Sequence, residues 1–211
     1  MTVTTNLPRG LLFVVAAPSG AGKTSLVNEL VAKDNDLSVS VSHTTRPMRP
    51  GERNGVDYNF VDQVTFQSMI AQGRFLEHAN VFGNLYGTCG DWVEQRLDDG
   101  EDLILEIDWQ GARQIRERYD DVHDIFIIPP NFESLRHRLT SRGKDGPEVI
   151  ERRLAEARSE MAHYDEFRYL VVNDDFQHAL IDLQAIFRAA RLGLKRQQVA
   201  FSDALENLLQ D

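Results

Sequence analysis

Nine consecutive residues, Ala16-Ala17-Pro18-Ser19-Gly20-Ala21-Gly22-Lys23-Thr24, combine two glycines with a lysine and a hydroxyl. That combination suits phosphate. Backbone N–H groups of a glycine-rich turn at a helix N-terminus can converge on phosphate oxygens. Lys23 adds a point charge toward the β- and γ-phosphates, and the Thr24 hydroxyl is placed to ligate Mg²⁺. The pattern departs from G-x-x-x-x-G-K-[ST] at one letter, since position 17 is Ala. Gly20 and Gly22 keep the backbone freedom next to the phosphates. The flanks fit as well. Leu11 to Ala16 is an apolar run that reads as a buried strand, and Ser25 to Ala32 carries apolar residues at helical spacing. Strand, loop and helix in that order turn the pattern into a mechanism.

Other constellations are weaker when taken singly. Arg46 and Arg49 lie three apart on a stretch from Thr44 to Asp57 that contains two prolines and two glycines, with Tyr58 just beyond. Two guanidinium forks can clamp a phosphate dianion. Alone, the pair reads equally as incidental charges on a solvated loop; beside the phosphate loop it suggests a second phosphate site. Glu77 and Asp108 are acceptors when ionised and can take the N1–H and N2–H₂ of guanine. Taken alone, each reads better as an ordinary surface acid. Arg136, Arg138, Arg142, Arg152 and Arg153 surround a Gly-Lys-Asp-Gly-Pro break. They read either as a solvated charged face or as a hinged lid that carries cations onto a transferring phosphoryl group. Asp108-Trp109-Gln110-Gly111 has the form of a GTPase switch, but no Asn-Lys-x-Asp string follows it. The six histidines have no metal-ligand spacing, and Trp92 and Trp109 read as packing residues.

These residues need an α/β scaffold. Leu37 to His43 alternates like a half-buried strand, Tyr58 to Val61 and Phe75 to Phe82 read as strands, and Val64 to Gln72 and Asp91 to Leu97 as short helices. Asp102 to Asp108 reads as a central strand ending in carboxylates, followed by a helix over Gln110 to Tyr119. Asp124 to Ile128 and Tyr169 to Val172 are further strands. Phe132 to Arg142, Glu148 to Tyr164 and Phe176 to Gln197 are helices. Phe201, Leu205, Leu208 and Leu209 fall on one face of a last short helix, which docks either on its own core or on another subunit. The order predicts a parallel sheet core of nucleotide-binding type, interrupted by a strand-rich insertion, with ligands at the carboxyl ends of the strands.

The chain has 211 residues, 42% of them hydrophobic, and a formal net charge of −10. Such an acidic balance argues against a general nucleic-acid binder. The single cysteine, Cys89, excludes an intrachain disulfide and a cysteine-based zinc site. The longest apolar run, Leu11 to Ala17, is too short to span a bilayer. Met1 to Gly10 lacks the features of a signal peptide. A cytoplasmic protein without a membrane partner is expected.

Several segments together resemble the guanylate kinase family. They are Ala17-Pro18-Ser19-Gly20-Ala21-Gly22-Lys23-Thr24, Ser42 to Glu52, Asn54 to Tyr58, Phe75-Leu76-Glu77, Gly83 to Thr88, Asp108 to Gly111 and Val172 to Asp175, in family order over nearly the whole chain. The Ala-Pro-Ser-Gly-Ala-Gly-Lys loop is similar to the bacterial branch. The resemblance implies a P-loop nucleoside monophosphate kinase fold over residues 10–191. Its core would comprise 10–41, 98–135 and 156–191, with a GMP-binding insertion at 42–97, a helical lid at 136–155 and a helical tail at 192–211. It implies transfer of a phosphoryl group from ATP to GMP or dGMP with Mg²⁺. The residues Ala17 to Thr24 and Asn173 would bind ATP. Arg46, Arg49, Tyr58 and Tyr86 match the family's contacts to the GMP phosphate. Ser42, Glu77, Thr88 and Asp108 match its guanine contacts, and Lys23, Arg46, Arg138, Arg142 and Arg153 its catalytic cations. Thr88 stands where Ser is common, and Glu106 where Asp is common, at the Mg²⁺ water shell. A ribose 1,5-bisphosphate kinase is the nearer alternative, disfavoured by Ser42, Glu77 and Asp108. A non-catalytic binding module is the other, disfavoured by the intact Lys23 and arginines. The oligomeric state stays open.

Overall fold

A computed structural model describes residues 7–81, 83–141 and 146–210. The core begins with β1 (Leu12–Ala16) and α1 (Lys23–Ala32), and β2 (Leu37–Val39) follows. The insertion holds β3 (His43–Thr44), β4 (Asn59–Phe60), α2 (Gln63–Ala71), β5 (Phe75–Val81) and β6 (Asn84–Cys89). The chain then returns through α3 (Gly90–Asp98), β7 (Asp102–Glu106), α4 (Trp109–Arg118) and β8 (His123–Ile128). Next come α5 (Phe132–Ser141), α6 (Pro147–Met161), β9 (Tyr169–Val172), α7 (Phe176–Arg191), α8 (Leu194–Ala200) and α9 (Ser202–Leu209).

Two sheets result. The core sheet is parallel, in the order β2-β7-β1-β8-β9. A parallel sheet covered on both faces needs strands that are apolar on both sides, and every residue of β1 is buried. Phe13 and Val15 point to one face and pack with Leu26, Val27, Leu30, Leu180, Leu183 and Phe187 of α1 and α7. Leu12 and Val14 point to the other and pack with Val93, Leu97, Ala112 and Ile115 of α3 and α4. Each such side chain, fully removed from water, contributes roughly 1.5–3 kcal/mol. Thus α3, assigned to the insertion from sequence, has its buried residues in the core-sheet cluster.

The second sheet has the order β4-β3-β6-β5. The strand expected over Leu37 to His43 is divided between the two sheets. Ser40 N–H still donates to Ile104 O, at 2.9 Å, while Ser42 O already accepts from Asn59 N–H, at 2.9 Å. Sequence alternation alone contained no sign of β6. Its Gly87 faces Phe66 and Phe75, and a Cβ there would meet the Phe75 ring at 3.0 Å. The outer edge of β5 faces α4, where the Gln114 side chain accepts from His78 N–H at 3.1 Å and donates to His78 O at 2.9 Å.

The single long helix expected over Phe176 to Gln197 is two. Gly193 interrupts it with extended backbone between α7 and α8. Arg191 at the end of α7 is held by Asp34 and the buried Asp102, both at 2.6 Å. No residue of α9 is buried, and Leu208 and Leu209 are largely exposed. Among the described residues no helix is long and apolar enough to cross a membrane.

Candidate active site

The carboxyl ends of β1 and β7, the insertion sheet and one face of α6 enclose a cavity of about 1100 Å³. Each wall brings its own chemistry.

The loop after β1 forms the floor. Gly22 caps α1 in the left-handed region, with φ 97°, and Gly20 has φ 92°. Both conformations are costly for residues with a Cβ. Space also excludes one. A Cβ on Gly22 would lie 2.4 Å from Asn173 Nδ2, and one on Gly20 would lie 2.8 Å from the Leu135 side chain. Gly22→Ala is therefore expected to lower the thermal midpoint. Thermal melts check this, and a melt unchanged by the substitution would contradict the strain argument.

Lys23 and Thr24 open α1 into the cavity. Lys23 Nζ lies 3.5 Å from Ile107 O and 4.0 Å from Glu106 Oε2, so no short ion pair neutralises it. Thr24 Oγ1 donates to Glu106 Oε2 at 3.3 Å. A hydroxyl and a carboxylate side by side at the end of a phosphate loop form an oxygen donor pair that fits Mg²⁺.

The insertion supplies the opposite wall. Ser42, Arg49, Tyr58, Glu77 and Tyr86 line it. Ser42 Oγ, Thr88 Oγ1 and Glu77 form a buried polar chain, with separations of 3.4 and 2.6 Å. Glu77 is only 2% exposed. Burial raises its carboxyl to about 7, against the Thr88 hydroxyl that favours the charged form, while Asp108 adds like-charge repulsion. A Cβ on Gly111 would meet Glu77 Oε2 at 2.6 Å. The Asp108-Trp109-Gln110-Gly111 string is thus a capping device that leaves room for Glu77. Asp108 is the N-cap of α4, and its Oδ1 accepts from Gly111 N–H at 2.9 Å. The strand expected through Asp108 ends at Glu106, and this capping geometry is the reason.

Arg46 does not line the cavity. Both its terminal nitrogens donate to Glu52, at 3.1 and 2.7 Å, and its guanidinium lies over the Tyr58 ring, 5.4 Å from the centroid. It stands beside Arg49 with its fork already occupied.

The third wall is α6. Val149, Arg152, Arg153, Glu156 and Glu160 face inward. Spacings of three, four and seven place such residues on one helix face. Arg153 donates to Ser19 Oγ at 2.8 Å. Glu156 and Glu160 were not among the residues singled out by sequence. The signal was present in the stripe that continues beyond Arg152 and Arg153. Arg138 lies beneath the loop instead, donating to Ala21 O at 3.2 Å and Asn173 O at 2.8 Å. The buried Asn173 donates to the same Ala21 O at 2.7 Å. Arg138, Ala21 and Asn173 therefore brace the loop and do not line the cavity, whereas Pro18, Ser19 and Ala17 line it directly. Arg142 lies outside the described residues.

Comparison with known proteins points to one family. The family model described as guanylate kinase matches residues 9–190. The chain is 62% identical over 200 residues to a guanylate kinase of Alkalilimnicola ehrlichii, covering 95% of this chain and 98% of that one. It is 57% identical over 208 residues to one from Pseudomonas syringae pv. syringae, covering 95% of this chain and 97% of that one. The crystal structure of guanylate kinase from Anaplasma phagocytophilum superposes with a TM-score of 0.75 at 34% identity, covering 91% of both chains. With a family match spanning most of its length, the chain belongs to the guanylate kinase family.

Proposed function

We infer that this enzyme transfers the γ-phosphoryl group of ATP to GMP or dGMP, giving ADP and GDP or dGDP. One observation carries the reading: a phosphate loop whose Lys23 meets Glu106 only at 4.0 Å and a buried Ser42–Thr88–Glu77 chain face each other across one cavity.

Glu77 and Asp108 would accept from the guanine N–H groups, with Ser42 and Thr88 orienting the ring. Arg49, Tyr58 and Tyr86 would hold the acceptor phosphate, joined by Arg46 once it leaves Glu52. That phosphate is largely ionised at neutral pH, so no general base is needed. Lys23 and the α6 arginines would stabilise charge on the transferred group, which is alignment plus electrostatics. When bound, Mg²⁺ would be held by Thr24 and, through water, Glu106, and would neutralise charge on the β- and γ-oxygens. Residues 136–155 would form the lid, which excludes water so that ATP is not hydrolysed. The insertion is the proposed acceptor unit.

The test is ADP formation from Mg·ATP with GMP, dGMP, AMP, CMP, UMP and ribose 1,5-bisphosphate offered singly. Turnover confined largely to GMP and dGMP is expected. Turnover with the sugar bisphosphate alone would move the acceptor and reject the base-reading role.

Acidity supplies a second check. Guanine needs an ionised Glu77, whose carboxyl burial raises to about 7. A raised carboxyl is neutral below that value, so GMP affinity is expected to fall as pH drops from 8 to 6. A flat dissociation constant for GMP over that range would contradict the assignment.

A further inference from the structure

One loop N–H is already taken by an anion from the protein itself. Ser19 N–H donates to Glu160 Oε2 at 3.1 Å, across 141 positions of sequence. Glu160 lies on the inward stripe of α6, seven residues beyond Arg153. Arg153 holds the hydroxyl of the same Ser19, at 2.8 Å. The N–H and the hydroxyl of Ser19 are thus bound by one helix, by residues two turns apart. That helix packs through Ile150, Leu154 and Ala157 on Leu135 and Leu139, the side chains lying against Gly20. The C-terminal part of α6 is therefore fastened to the phosphate loop from two sides.

A carboxylate facing a loop built to receive phosphate is chemically out of place unless it substitutes for phosphate. Its charged surroundings are Lys23 from α1, Asp108 at the start of α4, and Arg153 and Glu156 on its own helix. We propose that Glu160 is a tethered anion that occupies the Ser19 N–H of the phosphate loop until the donor's polyphosphate displaces it. Donor entry then detaches this end of α6 from the loop, so that nucleotide binding and movement of α6 are one event. This role rests on the reading of the loop as the ATP site. Burial raises the Glu160 carboxyl to about 6, so at neutral pH the competing charge is present in most molecules.

Glu160 acts through Ser19 and is a positioning residue. Glu160→Gln keeps the shape and an amide oxygen for Ser19 while removing the charge. Mg·ATP, Mg·ADP and inorganic tripolyphosphate are titrated calorimetrically against wild type and E160Q at pH 5.5 and 8. Removing a like charge a few ångströms from the phosphates is expected to tighten ATP and tripolyphosphate binding about three- to tenfold at pH 8. At pH 5.5, where wild-type Glu160 is largely neutral, the two proteins are expected to converge. In ¹⁵N-labelled nucleotide-free protein, the Ser19 amide resonance is expected to titrate near pH 6 in wild type and not in E160Q. Glu160→Ala, which removes the acceptor altogether, is expected to share the tighter ATP binding at pH 8. Equal or weaker ATP binding by both variants at pH 8 would reduce Glu160 to a structural hydrogen bond and overturn the proposal. If wild type binds neither ATP nor tripolyphosphate, the donor-site reading itself fails, a result distinguishable from equal binding by all three proteins.

Discussion

Lys23→Met is expected to lower kcat about 10²- to 10³-fold, the scale of losing one preorganised charge donor at a transition state. The dissociation constant for GMP is expected to stay unchanged. The basis is the long separation of Nζ from its neighbours, 3.5 Å to Ile107 O and 4.0 Å to Glu106. An ammonium already tied in a short ion pair would gain little from a phosphate. This one sits at the loop mouth with its charge available. Methionine keeps the length and apolar stem, so the packing of α1 is preserved while the charge is lost. Steady-state kinetics with GMP saturating, together with GMP titration of the variant, separate the two quantities. A normal kcat would remove the phosphate loop from the reaction. A weakened GMP affinity at normal loop geometry would show the acceptor leaning on Lys23 as well.

The second large effect concerns specificity. Glu77→Ala is expected to reduce the preference for GMP over AMP by about 1–3 kcal/mol, roughly five- to 150-fold in kcat/KM ratio. Guanine N1–H and N2–H₂ would be buried without an acceptor, and Thr88 would lose the oxygen it donates to at 2.6 Å. Adenine presents no such donors at these positions and loses less. The site beside Gly111 would also hold a void where Glu77 Oε2 had been. Competition kinetics with the two nucleotides measure the ratio directly. An unchanged ratio would assign base recognition to Asp108 and Ser42 without Glu77.

The phosphate loop was legible because its whole device is local. Strand, glycines, lysine and helix are contiguous, so residue types alone dictate the geometry. The core strands were legible for a similar reason, since burial on both faces leaves an apolar run such as Leu12 to Ala16. The insertion was less so. Its strands β3 and β4 are two residues each and owe their conformation to partners 16 to 44 positions away. The pattern of β6 is masked by Gly87, which is fixed by the Phe66 and Phe75 rings and not by any local preference. Among the site residues, Glu77 gains its character from burial and from Thr88, neither of which is visible at its own position. Arg138 was read as a lid cation because arginines near a phosphate loop invite that reading. Its hydrogen bonds to Ala21 and Asn173 carbonyls depend on the docking of α5 beneath the loop, a tertiary event. The inward face of α6 lay partly hidden for the opposite reason, because acids next to arginines on a helix resemble ordinary surface pairs. Arg152 and Glu156, 3.6 Å apart, are such a pair as well as cavity residues.

The Gln114 side chain, paired with both backbone groups of His78, has a bearing on solubility. β5 is the last strand of its sheet, and its outer edge offers a template on which a second chain could add a strand. By placing one amide where a neighbouring strand's peptide group would lie, α4 occupies that template at its middle. Arg118 does the same near the start of the strand, donating to Phe75 O at 3.3 Å. A helix from the core thereby covers the edge of the insertion sheet, using side chains in place of a further strand.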